Sequence, residues 1–128
     1  MTFPKELTYT ADHEWIKFSD EGKTALIGIT EFAQSQLGDI VYIGLPEVDE
    51  TVSAEDSIAD IESVKSVSDI FTPVSGTVSK INEELEESPE LVNSDPYGAW
   101  LFEISDITEV QAETLSAAEY EKLVAEEE

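Results

Sequence analysis

The sequence predicts a mostly β domain carrying a short internal helix and a carboxy-terminal helix. Three observations carry that prediction. Short β-branched runs bounded by turn residues fill the middle of the chain. Trp100, Phe102 and Ile104 recur at period two, the clearest strand signal present. Two other segments carry helix start and stop residues.

Taken in order, Ser19-Asp20-Glu21-Gly22 ends one run and opens a second, Lys23 to Ile29, as in a hairpin. Thr30 caps a short helix over Glu31 to Leu37, and Gly38 stops it. Ile40 to Leu45 is apolar and β-branched until Pro46, which cannot donate to a central ladder. Ser57 to Val64 alternates loosely, with Ile58 and Ile61 expected to face inward. Val67 to Thr72 and Thr77 to Ile81 follow, separated by a turn over Pro73 to Gly76, with Gly76 supplying permissive backbone angles. Ala99 to Ile104 is the last strand. Ser116 and Glu119 form a capping box for a helix over Ala117 to Ala125, with Tyr120, Val124 and Leu123 on its apolar side. The trailing Glu126-Glu127-Glu128 is expected to be frayed and solvated.

Length and charge bound what such a domain does. The 128 residues, 41% of them hydrophobic, suit one domain with a true core, residues 1–128. Thirty acidic residues against six lysines, with no arginine, give a net charge of −24. That field repels phosphate backbones and anionic headgroups, so neither nucleic acid nor a membrane surface is an expected partner. Without cysteine there is no thiol nucleophile, disulfide or thiolate metal site, and with His13 the only histidine no metal site is expected. The amino terminus lacks the regions of a secretion signal and no apolar run nears membrane-spanning length, so a cytoplasmic protein is expected.

An enzyme is hard to assemble from these residues. His13 reads as a surface or capping histidine in a loop; Val74-Ser75-Gly76 lacks a nucleophile elbow, and no glycine-rich phosphate loop is present. Carboxylate pairs are inevitable in a chain this acidic and carry no information.

Lys65 stands apart. It is the only basic residue between Lys23 and Lys80, and its neighbours, Ser63-Val64-Lys65-Ser66-Val67-Ser68, place it at the tip of a hairpin. No glycine or asparagine marks that turn, which favours type I over the primed types. Taken alone, Lys65 fits a solvated surface lysine; a rigid hairpin is also how a protein presents an amine for covalent modification.

Here the residues resemble a family. Glu62-Ser63-Val64-Lys65-Ser66-Val67-Ser68-Asp69-Ile70 followed by Pro73-Val74-Ser75-Gly76 resembles the lipoyl-lysine segment of the glycine cleavage system H proteins. Tyr9-Thr10, His13-Glu14-Trp15-Ile16, Gly28-Ile29-Thr30, Leu37-Gly38-Asp39-Ile40-Val41, Leu45-Pro46, Ser88-Pro89-Glu90-Leu91-Val92-Asn93 and Pro96-Tyr97-Gly98 with Trp100 match in order, from about Tyr9 to Val124. Asp49 departs from the pattern where glycine is usual, and the stretch before Trp100 is one residue shorter.

The resemblance implies a lipoyl-type barrel-sandwich hybrid of two antiparallel sheets, and a carrier rather than an enzyme. It implies lipoic acid covalently attached to Lys65, with Glu62, Ser63, Val64 and Ser66 as the recognition hairpin. The arm would carry an aminomethyl group from a pyridoxal-phosphate-dependent glycine decarboxylase to a tetrahydrofolate-dependent aminomethyltransferase, then be reoxidised by dihydrolipoyl dehydrogenase. A lipoate ligase or an octanoyl/lipoyl transferase would load it, and the free protein would be a monomer. Glu14, from its place in His13-Glu14-Trp15, is a candidate wall of the cleft that holds the cationic loaded arm, whereas Trp15 and Trp100 are expected to pack. Two alternatives share the lysine hairpin: a lipoyl domain of a 2-oxoacid dehydrogenase complex, and a lipoyl relay in lipoate assembly. The charge itself fits either a family habit or a salt-adapted host.

Overall fold

The computed structural model describes residues 3–111 and 113–127. Among the described residues nine strands form two antiparallel sheets. They are β1 (Thr8–Tyr9), β2 (Glu14–Ser19), β3 (Thr24–Ile29), β4 (Ile40–Gly44), β5 (Thr51–Val52), β6 (Ser57–Ser63), β7 (Val67–Phe71), β8 (Val74–Ile81) and β9 (Phe102–Val110). The larger sheet runs β1-β2-β3-β9-β8-β5 and the smaller β4-β6-β7. Their facing sides share one apolar core in which Ile27, Ile61, Val78 and Ile104 are fully buried. The fold class expected from the resemblance is therefore the one observed.

Helix α1 (Glu31–Leu37) forms as predicted: Thr30 Oγ1 accepts from the Ala33 amide at 3.2 Å, and Gly38 ends the helix at φ 79°. Helix α4 (Ala117–Glu127) opens on the capping box, with Ser116 N to Glu119 Oε1 at 2.9 Å and Glu119 N to Ser116 Oγ at 3.2 Å. The bond from the Ser116 amide favours the charged Glu119 and holds its carboxyl below the usual range. Tyr120 and Val124 bury one face of α4 against Leu7, Tyr9, Trp15 and Phe32, with Leu123 partly buried beside them. The Tyr9 and Tyr120 rings stack at 4.7 Å. Trp15 is likewise packed inside, its indole N–H donating to Pro96 O at 3.0 Å, and Trp100 is half-buried against the same cluster.

Several sequence expectations need correction. Residues 74–76 belong to β8 rather than to a turn, and Gly76 has no positive φ. Its need for glycine is steric, since a Cβ there would stand 2.5 Å from Ser105 O and 2.7 Å from Ile104 Cγ2. In β6 the buried residues are Ala59 and Ile61, two apart as a strand requires; Ile58 is only partly buried, through a register shift between Ser57 and Ala59. The last strand starts at Phe102 and runs to Val110, so Trp100 precedes it. Glu126 and Glu127 are helical, and Glu128 lies outside the described residues. Two short helices, α2 (Glu84–Glu87) and α3 (Leu91–Ser94), were not anticipated. Asp49 has φ 76°, a left-handed conformation that aspartate tolerates better than most residues.

Candidate functional site

Strands β6 and β7 pair from Ser57↔Phe71 to Glu62↔Val67, leaving Val64 and Lys65 at the hairpin tip. Ser63 closes the ladder, its amide donating to Ser66 O at 2.8 Å. Its hydroxyl then satisfies the turn, accepting from the amides of Lys65 at 3.2 Å and Ser66 at 3.1 Å. Neither tip residue has a positive φ, which excludes the primed turns as the composition suggested. A further bond ties the tip to the body of the protein: Val64 N donates to Asp39 O, just before β4, at 3.0 Å.

Lys65 is exposed, and no ion pair holds it among the described residues. Its stem crosses Gly38, where an added Cβ would lie 3.3 Å from Cε and 3.6 Å from Cδ. Gly38 is thus needed twice, for its φ of 79° and for the passage of the lysine.

Beside this point lies a cleft of about 220 Å³ between α1 and β7. Phe32, Ala33, Gln36 and Leu37 form one wall, Ser68, Asp69 and Ile70 the other, and Asp12, His13 and Glu127 the far end. Three carboxylates therefore edge a slot of mixed polar and apolar lining that begins one residue from Gly38.

Glu14 is not among the lining residues. It is 1% exposed, with Oε1 accepting from Thr10 Oγ1 at 3.0 Å and Oε2 from the Phe71 amide at 2.9 Å. Burial pushes its carboxyl up to about 7; those two hydrogen bonds pull the other way, and the nearby Asp12 charge adds to the rise. The cleft-wall expectation for Glu14 is corrected accordingly: it stands behind the slot and holds the end of β7. The carboxylates that do line the slot, Asp12, Asp69 and Glu127, are not singled out as site residues by the sequence, although Asp69 lies only four residues beyond Lys65.

His13 is a clip. With φ 70°, it hydrogen-bonds Tyr120 Oη through Nδ1 at 2.8 Å and faces Glu127 Oε2 from Nε2 at 3.3 Å. Tyr120 Oη also meets Thr30 Oγ1 at 2.7 Å, so one network joins α4, the start of α1 and the His13 loop. Burial raises the Tyr120 hydroxyl well above its ordinary value, keeping it neutral.

A small two-sheet domain with a lysine on a buttressed hairpin and a narrow slot beside it is, in class, a carrier module rather than an enzyme. The chain belongs to the glycine cleavage H-protein family, whose model matches residues 7–127. It is 52% identical over 126 residues to the glycine cleavage system H protein of Listeria monocytogenes serotype 4b, covering 97% of this chain and 99% of that one. Identity to the H protein of Lachnoclostridium phytofermentans is 54% over 124 residues, 96% of this chain and 95% of that one. The crystal structure of the Mycobacterium marinum H protein superposes with a TM-score of 0.88 at 40% identity, covering 95% of this chain and 98% of that one. The protein is thus a lipoyl carrier of the glycine cleavage system, without catalytic activity of its own, and members of this family bear a lipoate covalently attached to a lysine. These matches lend no support to a 2-oxoacid dehydrogenase domain or a lipoyl relay.

Proposed function

We propose that Lys65 is the lipoyl attachment site and that residues 1–128 form one carrier domain around it. One observation carries this reading: Lys65 is an exposed lysine at a turn held by both Ser63 Oγ and the Val64–Asp39 bond. Attachment of lipoate through an amide removes the ammonium charge, and the attached group supplies a disulfide that accepts the aminomethyl cargo on sulfur. Everything else falls to the chain. Ser63 and Asp39 keep the attachment point rigid, so the arm's reach is not blurred by motion of its anchor. Gly38 leaves a track for the stem toward the slot.

The slot suits a cationic amine at the end of an apolar arm. Phe32, Ala33 and Leu37 give it an apolar side, and Asp12 and Glu127 offer carboxylates to the ammonium at its far end, with Asp69, set by the strand register on the outer face beside Asp60, at its edge. Glu14 is a positioning residue, fixing the β7 wall through the Phe71 amide. Glu62, Ser63, Val64 and Ser66 remain the recognition hairpin: Glu62 and Val64 point outward to be read, and Ser63 and Ser66 shape the turn.

The partners in this reading are the pyridoxal-phosphate-dependent glycine decarboxylase, the tetrahydrofolate-dependent aminomethyltransferase and dihydrolipoyl dehydrogenase. A lipoate ligase or octanoyl/lipoyl transferase loads Lys65. Tethering keeps the cargo at high effective concentration near each of them, so no free aminomethyl species needs to diffuse. The protein is cytoplasmic and monomeric when free in the same reading. Reconstitution tests it: carbon dioxide release from glycine by the decarboxylase should depend on the lipoylated wild-type chain and vanish with Lys65→Ala. Undiminished release with the Lys65→Ala chain would sink it.

A further inference from the structure

The small sheet has an outer face that the carrier cycle described above does not use. Its strands place Tyr42, Glu62 and Val67 in one row, register partner beside register partner, all exposed. The row beneath, Ile43 and Ile61, is buried, so the two rows point to opposite sides. A β-bulge between Ile40 and Tyr42 turns Val41 outward as well. Bulges re-aim side chains, and this one leaves two successive large apolar residues in solvent. Val41 is 54% exposed, Tyr42 50%, Val64 66% and Val67 66%. These are four of the seven large apolar side chains left exposed among the described residues, gathered on the sheet that ends in Lys65.

Beside these apolar side chains the face carries a hollow whose lining is mainly polar. A shallow depression of about 500 Å³ lies between Tyr42, Val67 and the next row, Gly44, Asp60 and Asp69. Gly44 opens it: a Cβ there would touch Tyr42 Cε2 at 3.4 Å and collide with the Asp60 carboxylate. Asp60 and Asp69 are direct cross-strand partners, a like-charge pairing that costs stability, with Glu62 one row away. No lysine pairs with any of the three among the described residues.

We propose that this face, with Tyr42 as its aromatic anchor, is the surface by which the enzyme that acylates Lys65 recognises the unmodified protein. The inference rests on Lys65 being the attachment site. An enzyme that meets the chain before the arm exists has only protein surface to read, and its active site must enclose the hairpin tip. The partner surface is an apolar hollow for Tyr42 and Val67 rimmed by lysine or arginine facing Asp60, Glu62 and Asp69. In the step it serves, the neutral Lys65 amine attacks the carbonyl carbon of a lipoyl adenylate. The N–C bond forms, the bond from that carbon to the phosphate oxygen breaks, AMP leaves with the electron pair, and the amine's proton passes to a base or water.

The test is the initial rate of mass gain with a purified lipoate–protein ligase, ATP and lipoate, for the wild type, Tyr42→Ala, Glu62→Lys and Val110→Ala. Val110 is a comparably exposed apolar residue on β9, 40% exposed. Tyr42→Ala should lose about tenfold in kcat/KM, carried by KM with kcat held. Glu62→Lys should lose at least as much and flatten the salt dependence, while Val110→Ala keeps the wild-type rate. Circular dichroism and the urea midpoint confirm that each variant is folded. Wild-type rates for folded Tyr42→Ala and Glu62→Lys would overturn this proposal alone. A wild type that gains no lipoyl group, or gains it away from Lys65, would overturn the attachment site and this proposal with it.

Discussion

Glu14 offers a measurable consequence of its burial. Its carboxyl titrates near the usual value of 4.5 in the unfolded chain and at about 7 in the folded one. The folded state therefore retains a proton that the unfolded state has released, and stability falls as pH rises through that interval. Below about pH 4.5 the cost is absent. By pH 8 both states are ionised, and the difference between the two titration points corresponds to about 3 kcal/mol. Other carboxylates also titrate, so the informative quantity is the difference between the wild type and Glu14→Gln. An amide of the same shape can still accept from the Phe71 amide and donate to Thr10 Oγ1, without acquiring charge. Urea unfolding from pH 5 to pH 8 should show Glu14→Gln gaining on the wild type progressively, by roughly 2–3 kcal/mol at the upper end. A constant offset across that range would mean that Glu14 titrates normally, and the argument from burial would fail.

Three further outcomes follow from the packing and charge. Gly38→Ala forces a side chain into φ 79° and crowds the Lys65 stem; it should cost about 1–3 kcal/mol in urea unfolding and slow lipoylation. Gly28→Ala places a Cβ 2.6 Å from the buried Trp15 indole; overpacking should cost about 3 kcal/mol and shift the tryptophan emission, whereas a wild-type Tm would contradict the packing. With a net charge of −24, raising salt to about 1 M, where the Debye length is ~3 Å, should lift Tm by several degrees; a flat response would count against self-repulsion as a limit on stability.

What was legible in the sequence was local. The Thr30 and Ser116 caps, the Gly38 stop and the Ser63–Ser66 turn each draw on residues within a few positions, so their chemistry can be read directly. Strands β1 and β5, two residues each, owe their existence to distant partners, Ile16 and Trp15 for one and Thr77 and Gly76 for the other. Helices α2 and α3 have no side-chain cap and each buries one residue, Leu85 or Val92, too little periodicity to see. Gly76 was misread because glycine marks turns and close approaches alike, and only the position of β9 distinguishes them. The site divides the same way. Lys65 was visible as a lone lysine in a tight turn, but the slot requires α1 and β7 to meet, which no local pattern encodes. That is why the sequence points to Glu14 for a place at the slot that Asp12, Asp69 and Glu127 take instead.

The central claim is that this chain carries its cargo on Lys65. The most direct measurement is intact mass and peptide mapping after incubation with lipoate, ATP and a lipoate–protein ligase, with Lys65→Ala alongside. One added lipoyl group is expected, located on the peptide containing Lys65 and absent from the Lys65→Ala chain. A lipoyl group on another lysine, or none on a folded wild-type protein, would contradict it.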